Sequence, residues 1–123
     1  MDYSKILSPA FVLDEKLLRK NLELIDKVQK EAGIEIILAF KGFAMWSAFP
    51  LVRQYLKGAT ASSLNEARLC FEEMKTRAHV YSPVYFENEF EKLMSYSSHI
   101  VFNSFSQFEK FYPETKKADH AIS

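Results

Sequence analysis

The sequence predicts an α/β protein built on a parallel sheet. Three observations carry that reading. Short apolar runs recur at intervals of about twenty residues. Each gap between runs holds one helical pattern. The runs are rich in β-branched residues with little polar alternation, as in strands buried on both faces. The 123 residues allow one domain.

Taken in order, Phe11-Val12-Leu13 follows Pro9 and reads as an extended segment. Asp14 is a helix N-cap. Leu17, Leu18, Leu22, Ile25 and Val28 then form an amphipathic stripe, and Gly33 stops the helix. Residues 36–40 within Ile34-Glu35-Ile36-Ile37-Leu38-Ala39-Phe40 form the first strand. A helix from Pro50 to Lys57 has proline near its start and Gly58 just past its end. Ala59-Thr60-Ala61 is the second strand. Ser63 and Glu66 make a capping box that opens a helix carrying Leu64, Ala67, Leu69, Phe71 and Met74. His79-Val80-Tyr81 is the third strand, and Glu87 to Ser95 a helix. His99 to Phe102 is the fourth strand. Ser104 and Gln107 form a second capping box, on a helix that Pro113 ends. Ala121-Ile122-Ser123 looks like the start of a further strand.

Composition narrows the function. Sixteen Lys+Arg balance sixteen Asp+Glu, so the basic excess of a nucleic-acid surface is absent. Apolar residues at 48% and eleven Phe argue against disorder and supply a core. The single cysteine, Cys70, excludes a disulfide framework and a Cys-rich metal site, so no metal is expected. No leader-like or membrane-length apolar segment is visible, which makes the cytoplasm the expected location and leaves no membrane partner.

The ends of parallel strands are where such folds place their chemistry. Here they read Phe40-Lys41-Gly42, Ala61-Ser62-Ser63, Tyr81-Ser82-Pro83 and Phe102-Asn103-Ser104. Lys41 alone has reactive potential. At the mouth of a packed barrel its ammonium loses hydration, and the neutral amine can form a Schiff base with an aldehyde. The plainer reading is a lysine reaching into solvent. Two architectures remain open. A complete (β/α)8 barrel takes about 250 residues, so four units make half of one. A five-stranded flavodoxin-like sheet fits the length, but no Gly-rich first turn is present.

The stretch Ile37 to Trp46, with its Lys41-Gly42-Phe43-Ala44-Met45-Trp46 string, resembles the cofactor-lysine segment of the carboxynorspermidine (carboxyspermidine) decarboxylase family. Gly58 to Cys70, His99 to Ser104 and Ser8 to Leu13 resemble it too, so the likeness runs over residues 5–112. The wider class is the alanine racemase-like enzymes that depend on pyridoxal phosphate.

The resemblance implies the N-terminal half of a (β/α)8 (TIM-type) barrel. Residues 1–13 would form an N-terminal extended segment and 14–123 a partial cofactor-binding barrel domain, without the C-terminal half or the β-rich domain. It implies a decarboxylase of polyamine biosynthesis, with a small amino-acid/polyamine substrate and a homodimer for the full-length enzyme. Lys41 would be the catalytic residue and hold pyridoxal 5'-phosphate as a Schiff base. Ser62 and Glu66 would join it as cofactor-binding residues. Each has a second reading: Ser62 as helix entry, Glu66 as the cap partner of Ser63. Thr60 stands where ornithine- and diaminopimelate-type relatives carry aspartate, which argues against those two activities. His79 and His99, read as strand starts, fall at the barrel end away from the site. Cys70 reads as core. Tyr81, Phe102 and Trp46 read as core or mouth lining. The family's phosphate loops and substrate-binding acids lie later in its chains, so this chain reads as an N-terminal part, expected to be catalytically silent alone. Two alternatives are another enzyme of the alanine racemase fold and a non-catalytic fragment or regulatory βα module.

Overall fold

The structure, a computed structural model, describes residues 4–123. The part of the extended segment over residues 1–3 lies outside them. Helix α1 spans Glu15–Ala32. Its start follows from Asp14, whose carboxylate accepts from the Lys16 and Leu17 N–H groups at 2.9 and 3.1 Å. It ends where Gly33 adopts φ 65, a left-handed conformation that glycine enters without penalty. Leu22 is buried, and Leu18 and Ile25 pack beside it. Leu17 and Val28, expected in the same stripe, are exposed.

Strand β1, Leu38–Ala39, is shorter than expected. A single turn of helix α2, Phe49–Val52, follows a short 3-10 turn over Trp46–Ala48. The helix expected to reach Lys57 therefore stops early. The Tyr55 N–H donates to the Val52 carbonyl in a tighter turn, which drives Leu56 into the core.

Strand β2 is Ala59–Ala61 and helix α3 is Leu64–Leu69, which widens into a π-turn over Cys70–Met74. Strand β3 is Ala78–Tyr81, helix α4 Glu87–Ser95 and strand β4 Ser97–Val101. Helix α5, Phe105–Thr115, contains Pro113 instead of ending at it. Proline lacks the N–H that would reach the carbonyl four residues back, and in the last turn little helix remains to be disturbed.

The four strands lie in the order β1-β2-β3-β4, all parallel. Gly58, just before β2, lets the chain lie close against Ile37, because a Cβ there would sit 2.9 Å from its Cγ2. Period-two alternation sorts the side chains. Phe40, Ala59, Ala61, Ala78, Val80 and Ile100 face the helices and are buried with Phe49, Val52, Cys70 and Phe90. Alanines on β2 leave room for α3 to lie close. The other sheet face carries Ala39, Thr60, His79 and His99 in one row and has no helix over it.

The sheet is an open segment of a TIM-type barrel. On the outer edge of β4 the Ser123 N–H donates to the Ser98 carbonyl at 3.0 Å, and the Ile100 N–H donates to the Ser123 carbonyl at 2.9 Å. The expected further strand thus begins to pair. No helix among the described residues is long and apolar enough to cross a membrane.

Candidate active site at the carboxyl rim

Lys41 sits in the turn that leaves β1. The N–H groups of Gly42 and Phe43 both donate to the Ala39 carbonyl, at 2.9 and 3.1 Å, which closes that turn. Phe40 anchors it from below: buried, its ring stacks on Phe49 with centroids 5.2 Å apart and planes 8° from parallel. Lys41 follows the buried Phe40 and is itself exposed.

Register fixes its neighbours. Ala39 pairs with Thr60, Thr60 with His79, and Tyr81 with Val101. Lys41 and Ser62 each lie just past the carboxyl end of their strand, and Tyr81 and Val101 close β3 and β4 at the same end. The sequence-derived candidates Lys41 and Ser62 thus share one rim. Lys41 is exposed. The loss of hydration expected at the mouth of a packed barrel has no source among the described residues, because the inner face is open to solvent.

Glu66 stands behind the rim. The Ser63 hydroxyl accepts from the Glu66 N–H at 3.2 Å, and the Glu66 carboxylate accepts from the Ser62 N–H at 2.6 Å. The reciprocal bond reaches one residue beyond the cap itself. Ser104 and Gln107 repeat the arrangement after β4: Ser104 Oγ accepts from the Gln107 N–H, and Gln107 Oε1 from the Asn103 N–H at 2.9 Å. Asn103 Nδ2 donates to the Pro83 carbonyl at 3.1 Å and ties the last two rim loops together.

Of the core and mouth-lining readings, exposure of 47% for Tyr81 and 63% for Trp46 leaves the second. One expectation needs correction. His79 and His99 do not sit at the far end. They occupy the row of Ala39 and Thr60 and stack with ring centroids 3.8 Å apart. The cause is a register irregularity between Ala78 and His79, where Ser98 is the extra residue of β4. That bulge lets Ser97 and Ile100 both turn to the helices while His99 turns inward beside His79. No residue pattern in the sequence marks it. Burial holds the His79 imidazole below the usual histidine range; His99 adds to this and Glu35 opposes it. Cys70 is core as expected, and burial pushes its thiol up to about 11.

Pyridoxal phosphate needs an amine for its aldehyde and a cradle for its phosphate. The rim supplies the amine, Lys41, with hydroxyls of Ser62 and Tyr81 at the same end of the sheet, so the donor set fits the aldehyde end. The glycines at 33, 42 and 58 form no phosphate loop. A cavity of about 820 Å³ between α4 and α5 is lined by residues that include Phe90, Phe111 and Glu114 and touches none of the candidates. A smaller one of about 100 Å³ reaches Ser62, Ser82 and Tyr85.

An open parallel βα segment whose strands run in the order β1-β2-β3-β4 matches the N-terminal part of a TIM-type barrel. Its relatives say which kind. The chain is 47% identical over 117 residues to carboxynorspermidine/carboxyspermidine decarboxylase of Campylobacter jejuni, across 95% of this chain and 31% of that protein. It is 45% identical over 108 residues to carboxyaminopropylagmatine decarboxylase of Synechocystis, across 88% and 28%. It is 38% identical over 106 residues to the carboxynorspermidine/carboxyspermidine decarboxylase of Herminiimonas arsenicoxydans. The crystal structure of carboxynorspermidine decarboxylase from Campylobacter jejuni, complexed with norspermidine, superposes with a TM-score of 0.88 at 44% identity, over 95% of this chain and 31% of that one. No family model matches. The chain is a homologue of these decarboxylases and spans about a third of the length of the relatives it matches.

Proposed function

We propose that this chain is the lysine-bearing segment of a pyridoxal phosphate-dependent decarboxylase that converts carboxynorspermidine or carboxyspermidine to norspermidine or spermidine. The observation that carries the reading is the 47% identity across 95% of the chain. In this reading residues 14–123 form part of a cofactor-binding barrel domain preceded by the extended segment 1–13. The complete enzyme is a cytoplasmic homodimer.

The roles follow from the rim. Lys41 would hold the cofactor at its aldehyde through the side-chain amine, on a turn that follows the stacked pair Phe40 and Phe49. Ser62 offers a hydroxyl one strand away. Glu66 acts through Ser62: its carboxylate fastens the Ser62 N–H and so sets where that residue stands. When bound, pyridoxal phosphate supplies an electron sink for the pair left as the α-carboxylate departs as CO2.

The test is a pyridoxal phosphate titration of the chain followed by absorbance, beside Lys41→Ala. Saturable binding lost in the variant supports the reading; equal spectra contradict it. A second reading within the same chemistry rests on the 45% identity to the Synechocystis protein: the substrate is then carboxyaminopropylagmatine. Comparing CO2 release from the two substrates by the enzyme containing this segment separates them.

A further inference from the structure

His120 lies in the connection that leads from α5 to the segment pairing with β4. Its Nε2 is 2.8 Å from the Ser97 carbonyl oxygen, and its Nδ1 is 2.7 Å from Oδ1 of Asp119. Both partners are acceptors, since neither a carbonyl oxygen nor an ionised carboxylate carries a proton. The hydrogen bond with His120 is the chief reason the Asp119 carboxyl is held below the ordinary carboxylate range. A neutral imidazole has one N–H and one lone pair, so it can serve only one of these two oxygens. The charged ring serves both. Three residues on, the Ser123 N–H donates to the Ser98 carbonyl and the Ile100 N–H to the Ser123 carbonyl. The ring thus stands where the chain joins the outer edge of β4.

We propose that His120 is a proton-operated latch on this junction: charged, its ring bridges Asp119 and the Ser97 carbonyl; neutral, it releases Asp119. The two arms are unequal. Ser97 is wholly buried, whereas the Asp119 side chain is largely exposed and can turn to water. The last ring proton therefore stays on Nε2, and Nδ1 turns its lone pair on the carboxylate. Histidine is the side chain whose charge ordinarily changes near neutrality. His120 and Asp119 both line the cavity between α4 and α5, which gives the ring a route for proton exchange. The other charges around that cavity are mostly paired: Glu87 of α4 with Lys110 of α5, and Glu114 with Lys117. Glu91 of α4 adds a negative charge on the same wall, which favours the charged ring. Arg77, ahead of β3, acts on Asp119 and favours its ionised form. The latch is closed on the acid side of the histidine titration and opens as pH rises through it. It opens again only in strong acid, where Asp119 takes up a proton. Neither bond involves Lys41 or the carboxyl rim, so the latch is independent of pyridoxal phosphate.

Ring-nitrogen NMR of the chain from about pH 5 to about pH 8 reads the imidazole directly, and amide hydrogen exchange reads the junction. His120 is expected to carry protons on both nitrogens at the acid end and to lose the Nδ1 proton first as pH rises. Protection of the Ser123 amide, corrected for base-catalysed exchange, should fall by about threefold over the same range. His120→Gln keeps a donor for the Ser97 carbonyl and has no proton to lose, so its Ser123 protection should not step with pH. His79 and His99 are present in both chains, so the variant separates their contribution from that of His120. The proposal is overturned if the His120 ring loses its Nε2 proton first, if Ser123 protection is the same at both ends of the range, or if His120→Gln keeps the parent's pH step. The ring spectra come from the unsubstituted chain, so they decide the question even if the variant fails to fold.

Discussion

The Glu66 carboxylate accepts the Ser62 N–H at 2.6 Å, so one side chain both caps α3 and fixes a residue on the rim of Lys41. Fold and candidate site meet in that bond. Removing it by Glu66→Ala should cost about 1 kcal/mol, the ordinary worth of a helix cap. Glu66→Gln keeps an accepting oxygen and should lose less. Urea unfolding of the three chains measures both.

In the proposed reading Lys41 serves the candidate site and not the fold. Its side chain is exposed and holds no core contact. Lys41→Ala should therefore shift stability by no more than about 0.5 kcal/mol, the usual range for such a surface change. A large loss in thermal unfolding would mean that the rim turn depends on the lysine itself.

Tyr85 tests the rim from the other side. Its buried hydroxyl donates to the Val101 carbonyl at 2.8 Å and accepts the Ser82 N–H at 3.3 Å, among the rings of Phe90, Phe102 and Phe111. Tyr85→Phe keeps the ring packing and deletes both bonds. It should destabilise by about 1 kcal/mol, the net worth of ordinary hydrogen bonds, because the half-buried Ser82 and the exposed Val101 can turn to water instead. Hydrogen exchange at Ser82 should quicken more than at Ala61.

Cys70 gives a pH dependence with a defined sign. Its folded-state thiol titrates near 11 against an ordinary 9.0, raised by burial. A raised value means that the neutral thiol is favoured in the fold. Its contribution is fully present below about 9 and is lost as pH rises toward 11. Stability of the parent should fall more steeply over that window than stability of Cys70→Ala. Thiol reagents at pH 8 should react only after unfolding.

The sequence made the βα alternation readable because each strand is a short apolar run between helices with clear caps. Asp14, Gly33, Ser63 and Ser104 all act where their chemistry places them. Helix α4 matches its expected bounds. Strand β4 and α2 do not, for different reasons. Ser97 and Ser98 look like loop residues but find carbonyl partners: Ser97 Oγ donates to Leu93 and lies buried. Around α2, the residues after Val52 turn tightly to bury Leu56, a tertiary demand that overrides helical spacing. The placement of Lys41 and Ser62 at strand ends was legible because each follows a short apolar run. The histidine pair was not, since a single extra residue in one strand reverses the face on which its later side chains fall.

The most direct test of the central claim, that Lys41 is the amine that takes pyridoxal phosphate, is borohydride reduction of the chain with the cofactor, followed by peptide mass mapping. The account predicts a pyridoxyl mass concentrated on the peptide containing Lys41. Label spread evenly over Lys57, Lys75, Lys116 and Lys117, with no preference for Lys41, would contradict it.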